Sequence, residues 1–427
     1  MASVLLISKE GDGIPIALKM AQQGEIVKFW VKEERAKLSL KGFRNPSQIK
    51  DPRIMLEQYD LILSDMVGLG PLMDDFREKG KLVWGGGSFN DKLELDRDYG
   101  VKVASSLLKV SVPDYELFDD VEDAILYLQE QKLPMVIKPL GNKATSLTLV
   151  SGDDRNRTLI SYLDNIGQQL MPCIIQRRID GIEISTEGFF NGKDFVKPYN
   201  HTFEKKRFME DDKGCNTGCM GNVVFTTKGN KLTDSVIEPL SPLLRKMSYI
   251  GPIDVNSILT KDEGYFIEFT TRYGYDAIQA FSELVKGSLF DFHYKIATRQ
   301  AKEIDCFDKD FALGVRLSLP PWPSSDDRVK KLKGIQVLDI PKQAEKHVWL
   351  SDAMLNEEEQ LTMAGVDGVV GCVTARGSSI RECKRRVYRT IQNISIHNDL
   401  QYRMDIADDI EAKIAQLTEW GWLDANN

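Results

Sequence analysis

Lys138 ends an apolar run, Val136-Ile137-Lys138-Pro139, and the residues after it, Leu140–Ser146, include Gly141 and the hydroxyls of Thr145 and Ser146. A fixed ammonium beside backbone N–H groups and hydroxyls suits a polyphosphate. A lysine snorkelling from a strand end has the same local sequence. Asp254 and Glu268 each sit between apolar neighbours, Ile253 and Val255 for one, Ile267 and Phe269 for the other. A turn at Gly264 would set these runs side by side as antiparallel strands. Two carboxylates facing each other there repel unless a cation lies between them. Oxygen donors without His or Cys point to Mg2+. The competing arrangement pairs one acid with Arg272 and leaves the other solvated. Gly214-Cys215-Asn216-Thr217-Gly218-Cys219-Met220-Gly221 reads as a loop whose backbone N–H groups approach a ligand closely. The basic cluster Glu204-Lys205-Lys206-Arg207 precedes it. Cys215 and Cys219 with His201 raise a zinc site, but the spacing is not Cys-x2-Cys and no fourth ligand is evident. Arg272, four residues after Glu268, would neutralise charge on a phosphoryl group or pair with Glu268 alone.

These residues need a frame. Ser3–Ser8, Glu25–Val31, Leu61–Ser64 and Lys81–Trp84 read as strands alternating with helical stretches such as Ile14–Gln22, a pattern that predicts a parallel sheet. Gly85-Gly86-Gly87 closes this unit and a helical stretch over Lys92–Leu108 follows. The next unit runs through a helix at Val121–Gln131 and strands at Pro134–Lys138, Leu147–Val150, Cys173–Gln176 and Glu183–Phe190. Asp180-Gly181 reads as a tight hairpin turn between the last two. Ile253–Leu259 and Tyr265–Phe269 form another pair. The last unit holds a Pro-rich loop at Leu319–Ser325, a strand at Gly368–Thr374 and a basic helix at Ser379–Ile394. The chain has 427 residues, room for two to four packed units. Its 56 Lys and Arg against 64 Asp and Glu leave a net charge of −8, a poor match for non-specific nucleic-acid binding. No apolar run is long enough to span a membrane, and the opening MASVLLISKEGDG lacks a signal-peptide pattern. Six scattered cysteines fit a reducing cytosol.

Taken in order, these pieces resemble the ATP-grasp ligases, and within them the phosphoribosylamine–glycine ligases (glycinamide ribonucleotide synthetases). The similarity is carried by Glu204–Arg207 with Lys213–Gly221, by Ile267-Glu268-Phe269-Thr270-Thr271-Arg272-Tyr273-Gly274, and by Ile175–Glu183 at the family's hinge. Gly368–Thr374 and Gln401–Ile406 resemble its C-terminal part. The resemblance implies an α/β ATP-grasp fold in three parts: an N-terminal parallel-sheet α/β domain over 1–104, an ATP-grasp domain over 105–300 with a lid at roughly 113–190, and a small C-terminal α+β domain over 301–427. It implies that Arg97, Lys138 and Ser146 meet ATP phosphates and that Glu183 meets the ribose or the hinge side of the nucleotide. Glu268, with Asp254, would hold Mg2+. Arg272 would balance phosphate charge, with Lys205 and Arg207 beside the reacting groups. Asn216, Thr217 and Gly218 would hold substrates.

The implied chemistry is a cytoplasmic, ADP-forming ligation of a small amino acid, glycine by resemblance, to an amine through an acyl phosphate. The same chemistry on another amine, such as a modified nucleotide or sugar, is one alternative. A degenerate nucleotide-binding regulatory module is the other. Three departures from the family bear on this. Its N-terminal Gly-Ser-Gly-Gly-Arg-Glu-His is replaced by Ser8-Lys9-Glu10-Gly11-Asp12-Gly13-Ile14, its metal-binding asparagine is Thr270, and its histidine beside the basic pair is Lys205. Glu10 and Asp12 repel a phosphate dianion, so an acceptor other than phosphoribosylamine is expected.

Overall fold

A computed structural model describes every residue except 141–147, 153, 275, 308, 325–326, 338–339, 397–398 and 425–427. The chain opens with β1 (Ser3–Ser8), α1 (Ile14–Gln22), β2 (Ile26–Val31), β3 (Ser47–Gln48), β4 (Leu61–Ser64), α2 (Gly70–Glu78) and β5 (Val83–Trp84). The strands pair in parallel, in the order β3-β2-β1-β4-β5. Val4, Leu5, Leu6 and Ile7 are all fully buried, which is why β1 reads as a continuous apolar run: helices cover both faces of a parallel sheet. The strand order reverses between β1 and β4, where connecting loops diverge and leave a crevice at the carboxyl ends.

The single helix expected over Lys92–Leu108 is two, α3 (Ser88–Leu95) and α4 (Arg97–Leu107). Asp96 breaks them, its side chain accepting from the Tyr99 N–H at 3.0 Å as an N-cap. There follow β6 (Tyr115–Phe118), α5 (Val121–Glu130), β7 (Met135–Pro139), β8 (Leu149–Val150), α6 (Arg157–Leu170) and β9 (Cys173–Arg177). They make a four-stranded sheet, β6-β9-β7-β8, with Ala124, Leu128, Ile137, Leu159 and Ile175 in a small core of their own.

The main sheet begins with β10 (Ile182–Asn191), β11 (Phe195–Met209) and β12 (Lys213–Thr227). After α7 (Lys231–Val236) and α8 (Ser241–Lys246) come β13 (Ile250–Leu259), β14 (Gly264–Thr270), α9 (Ala277–Leu284), α10 (Leu289–Ala297), β15 (Phe311–Ser318) and β16 (Val348–Leu350). The chain ends with the small hairpin β17 (Met354–Leu355) and β18 (Leu361–Thr362), then β19 (Val369–Gly377), α11 (Ile380–Gln392) and α12 (Ile410–Glu419). The eight-stranded order is β14-β13-β10-β11-β12-β15-β19-β16, so the C-terminal strands continue the central sheet. Among the described residues no helix is long and apolar enough to cross a membrane.

Two expectations are corrected here. Asp180-Gly181 does not close a hairpin: β9 pairs with β6 and β7 while β10 pairs with β11 and β13, so this turn carries the chain from one sheet to the other. The glycine-rich run Gly214–Gly221 is not a loop. It lies in β12, paired antiparallel with β11, and the tip of that hairpin is Glu210–Asp212. Glycine is needed there for close packing: a Cβ at Gly221 would lie 2.6 Å from the Gly314 carbonyl oxygen.

Candidate active site

A cleft lies between the two antiparallel sheets. Tyr115, Lys138, Ile174 and Gln176 line it from the four-stranded sheet, Phe266–Phe269 from β14, and Leu93, Glu94 and Arg97 from α3 and α4. One part of its wall is apolar and the other is densely charged. Such a slot accommodates a flat heterocycle at one end and a polyanion at the other.

Glu268 stands at the charged end. Its carboxylate lies 3.6 Å from the Arg97 guanidinium and 3.9 Å from the Lys206 ammonium. Burial alone would raise its pKa, but Lys206, Arg97, Lys138 and Arg272 together bring it down to about 2. Lys138, on β7, is pushed down to about 8, by burial first and then by Arg97 and Lys206, against the pull of Glu268 and Glu183. Lys206 donates to Glu183 Oε1 at 2.7 Å and lies 3.6 Å from Glu204. Burial opposes its charge, yet Glu183, Glu204 and Glu268 hold its ammonium well above the ordinary range. The same Glu183 oxygen accepts from Asn256 Nδ2 at 2.8 Å. Glu94 clamps the turn after β14: it accepts from the Thr271 N–H at 2.7 Å and from Arg272 Nε at 3.0 Å.

The strand register sorts the acids. β13 and β14 are adjacent and antiparallel, as the Gly264 turn implies, but Asn256 lies across from Glu268 and Asp254 across from Thr270. All four therefore share one sheet face, with Asp254 and Glu268 on its diagonal. Asp254 also lies across from Glu187 on β10 and is 9% exposed. Burial, then Glu187 and Glu204, push its pKa well above the ordinary carboxylate value. Asn256 Oδ1 is buried with no hydrogen-bond partner among the described residues. Glu268 lines the cleft, and Asn256 lies across from it on the same sheet face, so the two offer neighbouring hard donors. That set fits a Mg2+ ion completed by phosphate oxygens and water. Among the described residues no three His, Cys, Asp or Glu side chains form a metal-sized group.

Not every residue singled out from the sequence reaches this cleft. Arg97, Lys138 and Glu268 line it, while Glu183 acts electrostatically on Lys138 and Arg272 on Glu268. Lys205 points the other way, to Asp409 at 3.0 Å and Asp212 at 3.2 Å, because neighbours on a strand face opposite sides. Arg207 donates to the Gly214 carbonyl within its own hairpin. Asn216 donates to the Thr148 carbonyl at 3.2 Å and Thr217 to the Lys206 carbonyl at 2.8 Å, while Gly218 lines a second cavity. Ser146 lies outside the described residues. His201 is not near a metal: Thr186 and Asn230 occupy its ring nitrogens at 3.0 and 2.8 Å. Lys206 and Glu204 were read only as part of the basic cluster, with no role of their own, and Glu94 and Asn256 were not singled out. Alternation along Glu204–Lys206 was the available signal for the first two.

Residues 101–277 match the family model of the phosphoribosylglycinamide synthetase ATP-grasp (A) domain. The phosphoribosylamine–glycine ligase of Halalkalibacterium halodurans is 25% identical over 424 residues, covering 95% of this chain and 96% of that protein. That of Haemophilus influenzae is 28% identical over 353 residues, covering 78% and 79%. The crystal structure of phosphoribosylamine–glycine ligase from Thermotoga maritima superimposes with a TM-score of 0.71 at 19% identity, over 95% of this chain and 100% of that one. A biotin carboxylase from Campylobacter jejuni gives 0.64 at 11% identity, over 97% and 96%. Residues 101–277 thus match the ATP-grasp domain of the phosphoribosylglycinamide synthetases, and the chain as a whole shares the fold of the phosphoribosylamine–glycine ligases and resembles them in sequence while diverging from them.

Proposed function

We propose that this chain activates a small amino acid with ATP and joins it to an amine, releasing ADP and phosphate. One observation carries the reading: Arg97, Lys138, Lys206 and Arg272 all act on the Glu268 carboxylate in a cleft between two sheets. Lys206 and Arg272 are also held by Glu183, Glu204 and Glu94, but Arg97 and Lys138 meet no further acid at bonding distance among the described residues, and these two suit a triphosphate. The relatives' name supports glycine as the carboxylate. Phosphoribosylamine is their acceptor, against which this chain's own is to be judged.

The chemistry has two steps. The amino-acid carboxylate attacks the γ-phosphorus, the bond to the β–γ bridging oxygen breaks, and ADP leaves an acyl phosphate. The amine then attacks the acyl carbon and phosphate departs. Arg97 and Lys138 bind and orient the phosphates, and Arg272, fixed by Glu94, offsets charge on the transferring group. Phe266 and Phe269 form part of the apolar wall of the cleft. Glu268 and Asn256 would hold Mg2+, which supplies charge neutralisation between the phosphates when bound. We take 1–104, 105–300 and 301–427 as the domains. Separate sheets support the first boundary, and β15, β16 and β19 of the third part extend the central sheet of the second.

ADP release with ATP, Mg2+ and a panel of amino acids and amines tests this. Amino-acid-dependent ADP is expected. AMP as the product, or nucleotide binding without turnover under any pairing, would contradict it and favour a regulatory module.

A further inference from the structure

A second cavity, of about 330 Å3, opens at the crevice where strand order reverses between β1 and β4. Loops at that point of an open parallel sheet form ligand sites. The loop after β1 brings Glu10 and Asp12 to it; α9 and the residue before it bring Gln279 and Asp276; the C-terminal segment brings Asp352 and Asp367. Gly13 must be glycine for this loop to close: a Cβ would lie 2.4 Å from Leu6 Cδ2 and 2.8 Å from Asp65 Oδ2. Gly218 lines the cavity, and Arg272 links it to the cleft already described, acting electrostatically on both Asp12 and Glu268.

Its chemistry is one-sided. Five carboxylates line it against two guanidinium groups, Arg35 and Arg316. Arg35 is bonded to Glu10, and Arg316 Nε donates to Asp276 Oδ2 at 2.7 Å. The remaining three acids meet no cation at bonding distance among the described residues. Asp352 accepts only backbone N–H groups, from Ala364, Gly365 and Val366, and Asp367 accepts that of Val369. Asp12 makes no hydrogen bond among the described residues. Burial, then Asp367 and Glu10, raise it to about 6, a sign of crowded negative charge. Independently of the acids, Gln279 is 6% exposed and its Oε1 has no hydrogen-bond partner among the described residues. A buried acceptor without a donor is costly until a ligand supplies one.

We infer that this cavity is the acceptor site of the ligase and is built for an amine that carries a second, positively charged group, a diamine rather than a phosphate ester. The inference rests on the ligase reading above. The neutral amine nitrogen attacks the acyl carbon, the C–O bond to phosphate breaks, and the amine proton leaves on the phosphate. The distal ammonium sits between Asp12 and Asp367, with Gln279 Oε1 accepting from it.

Two matched probes test it: ethylenediamine and O-phosphoethanolamine, alike in their two-carbon amine arm and opposite in tail charge, with phosphoribosylamine as the third acceptor. With ATP, Mg2+ and glycine, kcat/KM for ethylenediamine is expected to exceed both phosphate-bearing amines by about tenfold or more. Asp12→Asn and, separately, Asp367→Asn should raise the KM for ethylenediamine about tenfold and change kcat less. Both are near-isosteric, and a melting curve verifies folding. Preference for either phosphate-bearing amine, absence of discrimination, or an unchanged KM in both variants overturns the inference. Hydroxylamine, small and uncharged, traps glycyl phosphate whatever the pocket prefers. Hydroxamate formed alongside a phosphate preference sinks the acceptor assignment and leaves the ligase reading standing. No hydroxamate and no ADP sinks both.

Discussion

Glu268 and Lys138 place the account at its most specific scale. If Glu268 holds a metal that serves phosphoryl transfer, Glu268→Gln keeps the shape of the side chain and removes its charge. Turnover should fall about a hundredfold or more while the melting curve changes little, since Glu268 faces the cleft and not a core. Retained activity would remove it from the metal site. Lys138 carries its charge below about 8 and loses it as pH rises through that value. The KM for ATP should therefore climb above pH 8 in the native chain and stay flat in Lys138→Arg, which remains charged. A flat profile in both would return Lys138 to a strand-end role. Both residues were legible in the sequence because each interrupts an otherwise apolar run. Lys206 was not. It stands between Lys205 and Arg207, and only a strand's alternation shows which of the three faces Glu183. The environment of Asp254 was equally hidden: burial raises its pKa first, and then Glu187, a residue from another strand, adds to it.

The elements decide how firmly these groups are held. Arg97 is the first residue of α4, and the Asp96 side chain caps that helix through the Tyr99 N–H. Asp96→Ala should lower the unfolding free energy by about 1 kcal/mol, read from urea titration. Because the lost cap also frees Arg97, the KM for ATP should rise with it. A stability loss with unaltered KM would detach Arg97 from the nucleotide. The Asp96 break was missed because Lys92–Leu108 keeps a helical composition throughout, and a cap is a local hydrogen bond rather than a change of periodicity. The β11–β12 hairpin was obscured for a different reason. Its glycines and charges resemble loop chemistry, and the partner strand that stabilises them lies beyond the Glu210–Asp212 tip. Parallel strands such as β1 and β4 were plain because burial on both faces leaves uninterrupted apolar runs.

At the scale of the molecule, two sheets with separate cores enclose one charged cleft, joined on one side by the crossing at Asp180-Gly181. A ligand bridging them ties the halves together. ATP with Mg2+ at a hundred times its dissociation constant should add about 2.7 kcal/mol to stability, and Glu268→Gln should lose most of the metal-dependent share. The parallel sheet was readable from strand and helix alternation, and the ATP-grasp architecture only from the resemblance of runs such as Ile267–Gly274 to that family. How the C-terminal strands β15, β16 and β19 join the central sheet was not, since sheet order depends on long-range pairing that no local pattern encodes. The central claim is that a carboxylate is activated by phosphoryl transfer. Glycine labelled with 18O in its carboxylate, incubated with ATP, Mg2+ and hydroxylamine, tests it most directly. The account predicts that one 18O atom per turnover appears in inorganic phosphate, alongside ADP and glycyl hydroxamate. Unlabelled phosphate, or label appearing in AMP, would contradict it.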